Sequence, residues 1–182
     1  MKFLPSKIPE VILIEVPRFG DHRGFFMEIY HAEKFSDAGI SVHFVQDNHA
    51  SSSQKNIIRG LHYQLEYPQG KLIRCIQGEI LDVAVDIRKS SSTFGKWVGE
   101  ILSSENAKQM YIPPGFAHGY MVRSEHAEIE YKCTEIYHPE DEYGIFWNDP
   151  EINIDWGIQN PILSDKDMKQ PLLKDIKEDI FK

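Results

Sequence analysis

The residues best equipped for chemistry lie in Arg59-Gly60-Leu61-His62-Tyr63-Gln64, at Lys71 one strand later, and in Pro113-Pro114-Gly115-Phe116-Ala117-His118. An imidazole trades a proton readily near neutral pH, and arginine and lysine hold carboxylate or phosphate oxygens. A histidine beside an arginine, with a second histidine in a Pro-Xaa-Gly-Xaa-Xaa-His turn, therefore suits acid/base work on an anionic substrate. Side chains so far apart in sequence have to be brought together. Gly-rich turns between short apolar segments suggest a small double-sheet barrel with these groups in its lumen.

The positioning elements read as strands. From 80 to 88 the chain alternates, with Leu81, Val83, Val85 and Ile87 on one face and Asp82, Ala84, Asp86 and Arg88 on the other, which predicts a half-buried strand. From 127 to 137, Ile129, Tyr131, Cys133 and Tyr137 share a face, while Glu128, Glu130, Lys132 and Thr134 point away. Further strands are expected over 11–16, 25–30, 42–49, 57–64, 72–77, 97–102, 109–112 and 119–122. Turn residues at Tyr67-Pro68-Gln69-Gly70, Ser90-Ser91-Ser92-Thr93, Pro113-Pro114-Gly115 and Asn148-Asp149-Pro150 separate them. Helix is confined to 31–38, closing on Gly39, and to a short turn after Ser164. This spacing predicts an all-β sandwich or jelly roll with a few short helices, and 182 residues predict one domain over 1–182.

An apolar content of 41% with 12% aromatics is that of a globular chain. The net charge of −8 argues against nucleic acid, whose binding needs a basic face, but leaves room for a small phosphorylated ligand held by a few cations. Met1 to Lys7 holds no apolar leader core, and no run is long enough to span a bilayer, so a cytoplasmic protein without membrane contact is expected. Cys75 and Cys133 fall inside strand-like segments and are expected to be reduced core thiols.

Pro113-Xaa-Gly115-Xaa-Xaa-His118 looks like the second half of the cupin signature, in which a jelly roll presents its last metal ligand. The first half should supply two close histidines and a glutamate, and here only His62 stands there, beside Tyr63 and Gln64. A non-haem metal needs about three protein ligands, so no metal is expected. Spacing alone leaves His62 and His118 either as hydrogen-bonded core histidines or as acid/base groups. Asp21-His22-Arg23-Gly24-Phe25-Phe26-Met27-Glu28 groups a cation, aromatics and a carboxylate that suit a nucleotide, although a turn entering a core strand explains them equally. Ser164-Asp165-Lys166-Asp167 has the spacing of a capping box, so Asp167 is either a helix-end acceptor or the carboxylate that orients a catalytic histidine.

Taken in order, seven motifs resemble the dTDP-4-dehydrorhamnose 3,5-epimerase family across nearly the whole chain. They are Asp21 to Glu28, Val45-Gln46-Asp47-Asn48, Arg59 to His62, Gln69-Gly70-Lys71-Leu72, Pro114 to Gly119, Tyr131-Lys132 and Ser164 to Asp167. The resemblance implies a metal-free, cofactor-free cupin-type jelly roll that forms a homodimer. It also implies inversion of C3 and C5 of dTDP-4-dehydro-6-deoxy-D-glucose, a step of cell-surface polysaccharide synthesis. By resemblance, His62 is the base, Asp167 its partner and Tyr131 the proton donor. Substrate contacts are implied for Arg23, Glu28, Gln46, Asn48, Arg59, Lys71, His118, Glu142 and Lys166. Chemistry adds Lys71 as a candidate donor to the enolate oxygen, Arg23 and Arg59 for the diphosphate, and Tyr137 with Phe26 for stacking on thymine. The chain departs from the family at Tyr143, where a basic residue commonly precedes glycine. Two alternatives remain, an epimerase acting at C3 or C5 alone and a non-catalytic sugar-binding cupin. The second has no need of Tyr131 opposite a histidine.

Overall fold

The structure, a computed structural model, describes residues 1–176 and 181. In chain order it runs β1 (Lys2–Pro5), β2 (Ile12–Glu15), β3 (Phe19–Asp21), β4 (Gly24–Phe26), α1 (Ala32–Asp37), β5 (Gln46–Ser52), β6 (Ile58–Gln64) and β7 (Lys71–Gln77). It continues through β8 (Glu79–Asp86), β9 (Trp97–Ser103), β10 (Lys108–Ile112), β11 (Phe116–Val122), β12 (Ala127–Cys133) and β13 (Glu142–Gly144), then a 3-10 turn at Asp167–Lys169. A six-stranded sheet in the order β1-β2-β10-β7-β12-β5 and a five-stranded sheet in the order β13-β6-β11-β8-β9 form a jelly roll, with β3 and β4 as a separate hairpin. The expected all-β architecture is the one observed.

Three apolar clusters account for the layering. Between the sheets, Ile73 and Ile129 of one pack with Ala84, Leu102 and Val122 of the other. The outer face of the five-stranded sheet presents Leu61, Val83, Val85 and Met121 to Trp147, Ile154, Trp156 and Leu173 of the C-terminal segment. The outer face of the six-stranded sheet, through Ile14, Leu72 and Tyr111, is covered by Phe35 of α1 and Ile40. Gly39, at φ +86°, ends α1, and the Ile40 N–H donates back to the Phe35 carbonyl at 2.8 Å.

The C-terminal cover corrects the reading of β8 as half-buried. Both of its faces are buried, and Asp82 and Asp86 are wholly inaccessible. The apolar set of the alternation faces the C-terminal cover, and the set bearing Asp82 looks inward. The expected strand over 25–30 shrinks to Gly24–Phe26, because Phe25 and Phe26 stand in an exposed hairpin instead of entering a sheet. The strand expected over 42–49 begins at Gln46, since Val42 and Phe44 join the cover around Phe35. His118, read as part of a turn, lies within β11, because the turn is completed at Gly115, where φ is +92°. β12 ends at Cys133, so Tyr137 does not share a strand face with Tyr131. The chain turns away there, with the Gly70 N–H donating to the Thr134 hydroxyl at 2.7 Å.

Candidate active site

His62 lies on β6, and the register of β11 sets His118 directly across from it. The two strands approach closely because position 60 is glycine. A Cβ there, at φ +116°, would sit 2.6 Å from the Gly119 Cα and 2.7 Å from the His118 carbonyl oxygen. Each histidine meets its own carboxylate. His62 Nε2 is 2.6 Å from Asp167 Oδ1, and His118 Nε2 is 2.7 Å from Asp82 Oδ1.

Asp167 reaches His62 from the 3-10 turn after Ser164. The Asp167 N–H donates to the Ser164 hydroxyl at 3.1 Å, so the serine caps the turn and the aspartate carboxylate is left for the histidine. Burial pulls the Asp167 carboxyl up, but hydrogen bonds with His62, Ser164 and the Gly60 backbone outweigh it and hold the group below its ordinary value. An ionised carboxylate only accepts hydrogen bonds, so Nε2 of His62 donates to Asp167 and Nδ1 is the nitrogen left for other partners. Glu142 Oε1 stands 3.7 Å from that Nδ1.

Tyr131 comes from β12 in the facing sheet. A cavity of about 460 Å³ is lined by His62, Tyr131 and Asp167, with Arg59, Lys71, His118, Tyr120, Glu142 and Lys166 around them. An adjoining hollow of about 330 Å³ shares His62, Lys71, Tyr131 and Glu142 with it and adds Gln46, Asn48 and Tyr137. Burial, reinforced by Cys133 and Tyr120, pushes the Tyr131 phenol up to about 12, so it keeps its proton at neutral pH. Lys71 is pushed down by burial, against the pull of Cys133, Glu142 and Asp82. A less basic ammonium is the better donor to an oxyanion. Arg59 is tethered at the rim by Ser52 Oγ at 3.3 Å and the Ser51 carbonyl at 3.1 Å.

At the mouth, Glu142 accepts from the Tyr137 hydroxyl at 2.7 Å and from Lys166. Burial raises the Glu142 carboxyl, and the bonds from Lys166 and Tyr137 more than reverse that. Tyr137 itself is raised to about 12, first by its bond to Glu142. The expected substrate contacts Gln46, Asn48, Arg59, Lys71, His118, Glu142 and Lys166 are thus brought together with His62, Asp167 and Tyr131. Arg23, Phe26 and Glu28 are not. Arg23 pairs with Asp21 at 2.6 Å and Glu28 with Lys34 at 2.5 Å, and neither they nor Phe26 line the two cavities.

Sequence reasoning missed Tyr120, which lines the cavity, and Asp82, which is buried behind His118. The signal was present in the β8 alternation, where the polar set is also the lumen set in a barrel. Among the described residues, no group of three or more histidine, cysteine, aspartate or glutamate side chains is placed to hold a metal.

A jelly roll whose lumen sets a histidine–aspartate pair against a protonated tyrosine, with cations around both, belongs to the class of jelly-roll isomerases that work by proton transfer on an anionic substrate. The family model of dTDP-4-dehydrorhamnose 3,5-epimerase matches residues 5–175. The chain belongs to the dTDP-4-dehydrorhamnose 3,5-epimerase family. It is 57% identical over 170 residues to the dTDP-4-dehydrorhamnose 3,5-epimerase of Shigella flexneri, covering 92% of this chain and 93% of that one. It superposes at a TM-score of 0.93, with 48% identity, on a Legionella pneumophila dTDP-6-deoxy-D-glucose-3,5-epimerase in complex with dTDP-4-keto-L-rhamnose, covering 97% of this chain and 94% of that one. A dTDP-4-dehydrorhamnose 3-epimerase of Streptomyces niveus is 33% identical, over 98% of this chain and 86% of that one.

Proposed function

We propose that His62 and Tyr131 invert C3 and C5 of dTDP-4-dehydro-6-deoxy-D-glucose, giving dTDP-4-dehydro-L-rhamnose. The observation that carries the reading is the His62–Asp167 pair set against Tyr131 from opposite sheets of one cavity. In a 4-keto sugar the protons on C3 and C5 are both alpha to the carbonyl, so a base can remove either as an enolate without redox chemistry. His62 takes the proton at Nδ1, and ionised Asp167 orients the ring and stabilises the imidazolium that forms. Lys71 donates to the developing C4 oxyanion, an interaction typically worth about 3 kcal/mol of barrier. Tyr131 returns a proton from the opposite face of the ring, and the centre is inverted.

The two relatives named as 3,5-epimerases are nearer in identity than the 3-epimerase, which supports inversion at both carbons. Arg59 and Lys166 hold the diphosphate, and Tyr137 stacks on thymine. Because Arg23, Phe26 and Glu28 do not serve the chain's own cavity, they act across a homodimer, each reaching the other subunit's ligand. Exposed Phe19, Phe25 and Phe26 on the hairpin supply an apolar surface for that association. A dTDP-sugar substrate and two free, buried cysteines suit the reducing cytoplasm.

Proton NMR in deuterium oxide tests the mechanism carbon by carbon. Wild-type protein should wash deuterium into both C3 and C5 and yield the L-sugar. Tyr131→Phe should bind substrate, still exchange through His62, and return the proton to the original face, so that exchange outlasts inversion. Wild-type yields of L-sugar from Tyr131→Phe would remove Tyr131 from its role.

A further inference from the structure

Tyr137 is half exposed and sits four residues beyond the end of β12, so neither strand hydrogen bonding nor core packing holds it in place. Its hydroxyl donates to Glu142, and its backbone is held by a set of side-chain amides. Gln64, at the end of the strand that carries His62, is buried, and its carboxamide bonds the peptide groups on either side of Tyr137. Its Oε1 accepts from the His138 N–H at 2.9 Å, and its Nε2 donates to the Ile136 carbonyl at 3.2 Å. The same Nε2 donates to the Tyr67 carbonyl at 2.7 Å, which ties in the neighbouring loop over 65–70. The Tyr137 N–H itself donates to Gln46 Oε1 at 2.8 Å.

The two loops are joined again below this point. The buried Asp141 carboxylate accepts from the Glu66 and Tyr67 N–H groups at 3.1 and 2.9 Å, and the Tyr67 ring stacks on His138 with centroids 4.0 Å apart. Thus the Ile136 carbonyl, the Tyr137 N–H and the His138 N–H are each satisfied by a glutamine from a strand, while the Ile136 N–H donates to the Glu135 carboxylate at 2.9 Å. With both amide hydrogens of Gln64 committed to carbonyls, its carboxamide has no donor left for a ligand. Partly buried peptide groups stripped of such partners would turn to water, and the loop would shift with Tyr137.

We propose that Gln64 is a positioning residue that sets affinity for the nucleotide end of the substrate by fixing Tyr137, without touching the ligand. The inference rests on the reading of the site as a dTDP-sugar site and adds a residue whose effect is on binding alone. His62, two positions earlier on the same strand, is held independently by Asp167, so the chemistry is separable from the clamp.

Gln64→Leu keeps the bulk and removes all three hydrogen bonds. It should raise KM for the 4-keto substrate by ~10-fold while kcat falls less than ~3-fold, the pattern of lost uniform binding. The Kd of dTDP alone, read by calorimetry, should weaken by the same factor. If Gln64 acts through Tyr137, the double variant Gln64→Leu/Tyr137→Ala should bind dTDP no more weakly than Tyr137→Ala alone. A lowered melting temperature with unchanged dTDP affinity would overturn the proposal, as would additive losses in the double variant. Should Gln64→Leu fail to fold, Gln64→Glu keeps the acceptor for His138 but loses both donors, and the same comparison applies. Wild-type turnover measured alongside separates the two readings. Absent epimerisation with Gln64-dependent dTDP binding would sink the roles of His62 and Tyr131 and leave this clamp standing.

Discussion

Two histidine–aspartate pairs lie side by side in this barrel, built from the same chemical groups at nearly the same distance, and they differ in where each carboxylate comes from. Asp82 is a sheet residue, one strand away from His118 and wholly buried, and the His118 side chain is only 9% exposed. Asp167 arrives from a turn 105 residues after His62, and the His62 side chain is 27% exposed and faces Glu142 as well. Among the described residues the Asp82 Oδ2 atom finds no hydrogen-bond partner, and Tyr120 lies directly across the strands from Asp82. A pair locked in the ladder can fix the direction of an imidazole. A pair completed by a separate segment at the cavity wall leaves the second nitrogen open to a substrate, which is what a base requires.

The largest expected effect breaks the pairs apart at the histidines. His62→Ala should abolish deuterium wash-in at C3 and C5, a loss of ~10³-fold or more. His118→Ala should raise KM and lower kcat by less than ~10-fold. Equal losses of kcat would mean that both imidazoles move protons. The carboxylates give the next contrast. Asp167→Asn should lower kcat by ~10² to ~10⁴-fold through the wrong tautomer while leaving the melting temperature close to wild type. Asp82→Asn should do the reverse, costing ~1–3 kcal/mol of stability as a buried partner is lost, with kcat changed less than ~10-fold. Paired calorimetry and kinetics on the two variants read both halves. An Asp167→Asn protein that merely melts earlier would restore Asp167 to a capping role.

A third buried carboxylate sharpens the comparison from outside the cavity. Burial raises the Asp86 carboxyl, but the Arg88 guanidinium and the Ser91 and Thr93 hydroxyls hold it down at about 2. Because the folded value lies below the unfolded one, the stabilisation is present above about pH 4 and is lost as pH falls toward about 2. It amounts to about 2 kcal/mol. Asp86→Asn should therefore flatten the fall in unfolding free energy across that acid window and leave kcat unchanged, measurable by denaturant titration at several pH values. An unchanged acid slope would show that Asp86 is not the group whose protonation weakens the fold.

Much of this was legible in the residues themselves. Period-two alternation and turn chemistry located the central strands, because each needs one apolar face and a sharp reversal at its ends. The motifs around His62, His118 and Tyr131 named the groups that meet. The edges of elements were less legible. Val42 and Phe44 have strand-like side chains, yet they pack beside Phe35 as a cover, and Tyr137 continues the alternation of β12 on paper after the strand has ended at Cys133.

What the sequence by itself determined was an all-β sandwich or jelly roll, which follows from local periodicity and turn chemistry, while the candidate reactive side chains were named by the motifs that resemble the family. The tertiary structure alone gave His118 its carboxylate, Asp82, and set Asp167 against His62 as the resemblance implied. It assigned the Ser164-Xaa-Xaa-Asp167 pattern as a serine cap with a free aspartate, and it turned the polar face of β8 inward. It also assigned Gln64 to the loop that holds Tyr137. The reason is physical: a carboxylate or amide takes the partner that burial and distance leave available, and those are set only when both sheets and the segments covering them have come together.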